Sequence, residues 1–381
     1  MKICLINNLY KPFNKGGAEA VVEDTAKCLV SLKHEVILIT LGEEDKIEEL
    51  DGVKVYRIKP WNIFSFLDMD NKNGVVRFIW WFFNVFNLSS RKKIKNILKK
   101  EKPDLVHIHN MVGMSFLISR LISRLKIKSV LTIHDIQLVY PSGQLIYGQE
   151  NTFINTFFLR KWYEKLVKFL ISSPDVVISP SKWLLDFYAK KGFFKDSDKK
   201  VLPNSVPQIS SQRVESEKLR FLYVGQVGEY KGIFTLLNVF KDLDYELHVV
   251  GDGKDLEKAK KFESNNILFH GRLDKKELEN IYSNSDILIF PSLTYENCPM
   301  AIMLAFGFGI PVIGSRIGGV PELIEENITG WLFEPGNEQE LGKLVSICKD
   351  KVKGMRDNCL NRAKEHTIEK YLKKLEEIYI T

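Results

Sequence analysis

Short apolar, β-branched runs recur along the chain between longer amphipathic segments, and this alternation narrows the fold more than any other feature. In the first half the runs are 2–8 (KICLINN), 35–40 (EVILIT), 54–58 (KVYRI), 104–109 (DLVHIH), 129–134 (SVLTIH) and 175–180 (DVVISP). Alternation of this kind predicts a parallel sheet with crossover helices. Residues 203–219 (PNSVPQISSQRVESEKL), rich in Ser, Pro and charge and without a period, predict a linker. The series then restarts at 220–225 (RFLYVG), 246–251 (ELHVVG), 266–271 (NILFHG), 286–291 (DILIFP) and 310–315 (IPVIGS). Several of these runs end in or near glycine, which lets backbone approach a ligand at the carboxyl edge of the sheet. Ile368, Tyr371, Leu372, Leu375 and Ile378 stand at helical spacing and predict a terminal amphipathic helix.

Composition supports two cores: the 381 residues are 45% hydrophobic, enough for two domains of ordinary size. The net charge of +7 suits anionic partners without naming one. Basic residues lie beside aromatic blocks, and no nucleic-acid recognition module is visible. Cys4, Cys28, Cys298, Cys348 and Cys359 are scattered, with no C-x-x-C pair, which fits a reducing cytoplasm. The N-terminus runs straight into a strand pattern rather than a leader peptide. No apolar run reaches the length of a spanning helix, so a membrane would be met from one side.

The segment from Pro291 to Leu332 is the most informative. A buried strand ends at Pro291, a polar loop carries Glu296, and Pro299 suits the first turn of a helix. Such a helix would aim free N–H groups and its positive dipole end into the crevice, where a diphosphate could bind. Glu296 beside that mouth could accept hydrogen bonds from sugar hydroxyls; capping the helix is the structural alternative. In residues 224–237 (VGQVGEYKGIFTLL), Lys231 stands just before a helix, placed to meet phosphate or simply solvated at the surface. Residues 14–29 (NKGGAEAVVEDTAKCL) open a helix behind Gly16 and Gly17, with Glu19 in its first turn, and lack the G-x-G-x-x-G of a dinucleotide enzyme. His134 falls at the carboxyl end of a strand, facing the crevice, where a neutral imidazole could bond the donor sugar, shuttle a proton, or be satisfied by backbone. His107 and His109 alternate on a strand and share a face. Their spacing can serve a metal, but no carboxylate or cysteine cluster completes a site in the sequence.

The order of these elements resembles the family-4 retaining glycosyltransferases, glycosyl transferases group 1, with the GT-B arrangement of two Rossmann-like domains. The matching residues are Pro291, Ser292, Glu296, Gly309, Pro311, Val312, Gly318, Gly319, Pro321, Glu322, Gly330 and Leu332. The G-G-A-E loop at 16–19, the T-x-H-D segment ending at Asp135, the Lys231–Gly232 pair, Pro203–Asn204 and the turn of Ser179 and Ser181 match in turn. The resemblance implies an α/β chain with an inter-domain cleft: an acceptor-binding domain over 1–205, a nucleotide-sugar domain over 206–365, and a final helix, about 366–381, packed back on the first. It implies His134 and Glu296 as catalytic residues. On the donor side it implies Gly16, Gly17, Gln226, Lys231, Arg272, Leu273, Asn297, Cys298, Pro299, Met300, Ala301 and Leu304, and on the acceptor side Glu19 and Asn204.

Two departures stand out. Leu304 occupies the position of a second glutamate implied to hold the ribose hydroxyls, and an apolar side chain accepts no hydrogen bond. Gln226 stands where the family has an arginine, which leaves Lys231 to carry most of the diphosphate's charge.

The expected activity is front-side transfer, with retention, of a hexose or N-acetylhexosamine from a nucleotide diphosphate to a glycan or polyprenyl-linked acceptor, in the synthesis of cell-surface polysaccharide. Neither a metal nor a separate cofactor is expected, because fixed cationic groups stabilise the leaving group. The alternative is a catalytically reduced family member that binds glycan or scaffolds an assembly. Aromatic and basic residues in 76–100 and 153–171 predict peripheral contact with an anionic membrane at its cytoplasmic face, although some of Trp80, Trp81, Phe82 and Phe83 must be core in any fold.

Overall fold

The computed structural model describes residues 1–381 apart from 14–16, 65, 67–75, 77–79, 81–82, 153–154, 156–157, 207–208, 210–218 and 381. Gly16, Trp81, Phe82 and most of the expected linker therefore lie outside the described residues.

The first half supplies β1 (Lys2–Ile6), β2 (Glu35–Leu41), β3 (Lys46–Leu50), β4 (Val53–Ile58), β5 (Leu105–Ile108), β6 (Lys128–Thr132), β7 (Val176–Ser179) and β8 (Asp198–Val201). Among the described residues they form one sheet in the order β3-β4-β2-β1-β5-β6-β7-β8, parallel except for the β3–β4 pair. The second half supplies β9 (Arg220–Val224), β10 (Glu246–Val250), β11 (Ile267–Gly271), β12 (Ile287–Phe290), β13 (Val312–Ser315) and β14 (Gly330–Phe333). Their order is β11-β10-β9-β12-β13-β14, parallel throughout. The fold is thus α/β with two Rossmann-like parallel sheets, as the alternation of runs predicts.

Three strands fall outside the predicted runs. β3 (KIEEL) and β8 (DKKV) are exposed edge strands, so charge replaces the apolar signature of a strand buried on both faces. β14 carries Gly330 and Leu332 of the Pro291–Leu332 segment and completes the opposite edge of the second sheet.

The crossover helices of the first half are α1 (Gly17–Ser31), α2 (Leu88–Glu101), α3 (Leu117–Arg124), α4 (Phe158–Ile171) and α5 (Lys182–Lys190). Those of the second are α6 (Ile233–Phe240), α7 (Leu256–Ala259), α8 (Lys275–Ser283), α9 (Met300–Gly307), α10 (Val320–Leu323), α11 (Glu338–Ile347) and α12 (Val352–Glu365), and α13 (Ile368–Ile380) ends the chain. Each sheet has an apolar cluster on both faces. Tyr371, Leu372, Leu375, Ile378 and Tyr379 of α13 share one cluster with Val22, Ala26 and Leu29 of α1 and with Ile3 and Leu5 of β1. Each such buried side chain contributes about 1.5–3 kcal/mol, so the last helix is fixed to the first sheet rather than to the second. The Tyr379 hydroxyl also pairs with His107 Nδ1 at 2.6 Å.

Candidate functional site

A cleft of about 380 Å³ opens where the carboxyl ends of the two sheets face each other. It brings together Gly17, His134, Asn204, Gln226, Lys231, Glu296, Asn297, Cys298, Pro299, Met300 and Ala301 from the expected set, with Tyr223 and Ser292 beside them. β9 and β12 are neighbours in register, Phe221 opposite Ile287 and Leu222 opposite Leu288, so their ends reach the cleft side by side. Gly232 has φ +73°, and a Cβ there would stand 1.8 Å from the Pro291 carbonyl oxygen. Only glycine permits that approach, and the approach carries Lys231 to the loop after β12.

Lys231 Nζ donates to Glu296 Oε1 at 2.5 Å, and the same oxygen accepts from Ser292 Oγ at 2.9 Å and Thr294 Oγ1 at 3.0 Å. Burial pushes the Glu296 carboxyl up, but the Lys231 ammonium and the two hydroxyls outweigh it and hold the group below its usual 4.5. Glu296 is therefore a carboxylate at neutral pH, an acceptor with its side chain 18% exposed to the cleft. It does not cap α9; Pro299 stands at that N-cap without a side-chain bond, and Met300 and Ala301, in the first turn, where backbone N–H groups have no partner within the helix, line the cleft. Burial pushes the Cys298 thiol up to about 12, so it packs rather than reacts.

The glycine pair of the Pro291–Leu332 segment works from below. A Cβ on Gly318, at φ +59°, would stand 2.1 Å from the Glu296 carbonyl oxygen, and one on Gly319 equally close to that of Asn297. The Glu296 loop thus rests directly on the Gly318–Gly319 backbone. Asn297 fastens it to the first half: Nδ2 donates to the His134 carbonyl at 3.1 Å, and Oδ1 accepts from Ser181 Oγ at 2.5 Å. Glu322 accepts from the backbone N–H groups of Lys182 and Trp183 at 2.7 and 2.6 Å, capping α5 from across the cleft. Asn204 Nδ2 donates to the Cys298 carbonyl at 3.1 Å.

His134 follows the end of β6 and lines the cleft, while its Nε2 pairs with His109 Nδ1 at 3.0 Å. Behind it the rings of His109 and His107 lie 4.0 Å apart, and His107 bonds Thr132 Oγ1 at 2.7 Å. Burial pushes His134 down to about 4 and His107 to about 3, and lowers His109 strongly, so the cluster is neutral at pH 7. Among the described residues no three His, Cys, Asp or Glu side chains are grouped to hold a metal ion.

Four expected residues lie off the cleft wall. Arg272 is exposed beyond β11, Leu273 and Leu304 pack at the edge of the apolar cluster around α9, and Glu19 is buried within α1. Ser292 stands among the matched residues, whereas Thr294, two residues before Glu296, was missed although its hydroxyl beside the carboxylate is a local signal. Trp183 and Tyr295, whose rings stack 5.4 Å apart across the cleft, carried no local signal.

Comparison with known proteins agrees with this geometry. Residues 15–208 match the model for Glycosyltransferase Family 4, and residues 207–366 match Glycosyl transferases group 1. The chain is 23% identical to the N-acetyl-alpha-D-glucosaminyl L-malate synthase of Bacillus anthracis, over 93% of this chain and 90% of that protein. An uncharacterized 42.6 kDa protein in the cps region of Klebsiella pneumoniae is 26% identical, over 85% of this chain and 87% of that one. Among solved structures, a sucrose-phosphate synthase from Thermosynechococcus elongatus superposes with a TM-score of 0.78 at 18% identity, covering 99% and 98% of the two chains. Anabaena HepE in complex with UDP superposes at 0.70 and 16%, over 99% of each, and at these identities both show the shared fold.

Proposed function

The chain belongs to glycosyltransferase family 4 and is a glycosyltransferase of glycan biosynthesis; beyond that, we infer that it moves a hexose or N-acetylhexosamine from a nucleotide diphosphate to a glycan or lipid-linked acceptor, with retention. The carrying observation is the Lys231–Glu296 pair at 2.5 Å, held at the mouth of α9. A diphosphate placed there would meet the Lys231 ammonium and the free N–H groups of Met300 and Ala301. Glu296 would orient the donor sugar through its hydroxyls, and His134 would contact the reacting region as a neutral imidazole. The acceptor oxygen bonds to the anomeric carbon as the bond to the diphosphate oxygen breaks. That electron pair leaves with the diphosphate, and the hydroxyl proton follows it. The Lys231 ammonium and the N-terminus of α9 would take the place of a metal, and this supports metal-independent transfer. The donor side is assigned to 206–365 and the acceptor side to 1–205.

Peripheral membrane contact is part of this proposal. Phe158, Trp162 and Phe169 are 65%, 53% and 61% exposed along α4, interleaved with Lys161 and Lys165, while Trp80 is buried. Aromatic rings among lysines suit an anionic headgroup layer. Among the described residues no helix is long and apolar enough to cross a membrane. Binding to phosphatidylglycerol vesicles that salt and Trp162→Ser both weaken supports this contact; equal binding to phosphatidylcholine vesicles refutes it.

A second reading, a catalytically reduced glycan-binding protein, is favoured by Leu304, packed among apolar side chains, and by Gln226, whose Oε1 accepts from the Tyr230 hydroxyl. Screening nucleotide sugars for thermal stabilisation, hydrolysis and transfer decides between them. Turnover that survives chelator, is lost in Glu296→Ala and yields a product of unchanged anomeric configuration supports transfer. Binding without turnover supports the second reading.

A further inference from the structure

The cleft has a second arm. A cavity of about 230 Å³ adjoins the first and shares His134, Lys231, Glu296 and Asn297 with it, so the two meet at the residues assigned to the chemistry. Beyond that neck its walls come from both halves of the chain: Asp135, Ser142 and Gln144 on one side, Trp183 at the start of α5, and Tyr295 from the Glu296 loop. Glu19 and Asn204, the residues expected to face an acceptor, are not on this wall.

The chemistry of the arm is selective. Asp135 Oδ1 accepts the Gln137 amide at 2.8 Å, while Oδ2 faces Gly143, where a Cβ would stand 3.5 Å from it; Gly143 lines the same arm. Burial, with a contribution from the Glu19 charge, pushes the Asp135 carboxyl up to about 6, so it is largely ionised at pH 7. Lys231, among the described residues the cation on this wall, is already paired with Glu296. Beyond the neck the charge on the described wall is the Asp135 carboxylate, so an anion lodged there would be repelled without a cation of its own to meet. A neutral polyol would find acceptors for its hydroxyls and, in the side chains of Trp183 and Tyr295, which stack on one another, an apolar stretch of wall. That wall is rigid: Tyr295 is tied by its N–H to the Leu145 carbonyl at 3.1 Å and by its hydroxyl to Glu150 Oε1 at 2.8 Å.

Resting on the glycosyl-transfer function above, we propose that this second arm is the acceptor subsite and takes an uncharged, hydroxyl-bearing sugar ring, with Asp135 receiving a hydrogen bond from an acceptor hydroxyl. The atoms balance as in the transfer already described, the acceptor oxygen replacing the diphosphate oxygen on the anomeric carbon and its proton leaving with the diphosphate.

The test uses the full-length protein with UDP-glucose, UDP-galactose, UDP-N-acetylglucosamine and GDP-mannose as donors. Octyl β-D-glucoside and octyl β-D-galactoside serve as uncharged acceptors, with L-malate and glucose 6-phosphate as anionic ones. Transfer to an octyl hexoside should outrun transfer to either anion. Asp135→Asn should raise the hexoside KM about tenfold, the loss of one charge-assisted hydrogen bond, with the donor KM unmoved. Retained thermal stabilisation by the donor shows that the variant is folded, and Trp183→Ala should raise the hexoside KM in the same direction. Faster transfer to an anion, or an unchanged hexoside KM in Asp135→Asn, overturns the assignment. Donor hydrolysis without transfer to either hexoside overturns the subsite alone; failure of every nucleotide sugar to bind overturns glycosyl transfer and the subsite with it.

Discussion

Replacing Glu296 by Gln keeps the shape of the side chain and removes its charge. In the wild type Oε1 accepts from Lys231, Ser292 and Thr294 at 2.5, 2.9 and 3.0 Å. A Gln oxygen can keep the two hydroxyls, so the loss is concentrated in the ion pair. Breaking a buried pair costs about 3–5 kcal/mol. Here the Lys231 side chain is 24% exposed and can turn to water, which places the cost nearer about 2 kcal/mol. In a domain of this size that lowers Tm by about 4–8 °C at pH 7. The gap should depend on pH with a definite sign. The folded carboxyl titrates below its unfolded value of 4.5, so the contribution is whole above 4.5 and is lost as pH falls through the folded value, where both states are protonated. Thermal unfolding of wild type and Glu296→Gln from pH 7 to pH 3.5 reads this directly, since every other titrating group cancels in the difference. A gap that stays constant across that range, or that is absent at pH 7, refutes the pairing of Lys231 with Glu296.

Gly318→Ala, which puts a Cβ at φ +59° and 2.1 Å from the Glu296 carbonyl oxygen, should destabilise by about 2–4 kcal/mol in a denaturant melt and lower donor affinity. Gly354→Ala, in α12 with nothing within 4 Å of the new Cβ, should instead stabilise by about 0.5–1 kcal/mol. Because His107, His109 and His134 are held below 6.5 in the folded state, the unfolded chain takes up their protons first. Stability should therefore fall as pH drops below 6.5, by about 1.4 kcal/mol per pH unit for each histidine. His109→Gln should remove one proton from that slope between pH 6.5 and 5, and an unaltered slope would contradict its burial as a neutral base. Glu322→Ala, which strips two backbone bonds from the start of α5, should cost about 1–2 kcal/mol and widen the cleft, seen as a larger radius of gyration in X-ray scattering.

The fold was largely legible because buried parallel strands advertise themselves: eleven apolar runs fall on strands within one or two residues at either end. The two edge strands of the first sheet were not, because a strand with one free side and a wet face is written in charge, as in KIEEL and DKKV. In the cleft, local order marked Glu296, Lys231 and His134 as candidates but left each a structural alternative, a helix cap, a solvated lysine or a backbone-bonded imidazole, and it was the resemblance to the family that singled them out. Their relations could not be read from local order. Lys231 and Glu296 are 65 residues apart, His134 and His109 are 25, and Trp183 meets Tyr295 only when the two halves close. By itself, then, the sequence determined two parallel α/β halves and the residue types along their carboxyl edges, because periodicity and glycine placement are local properties. Tertiary structure alone decided that Glu296 carries three bonds on one oxygen, that Glu19 is buried off the cleft wall, and that a second arm runs past Asp135. These follow from close approaches such as Gly232 on Pro291 and Gly318 on Glu296, distances that a linear spacing does not contain.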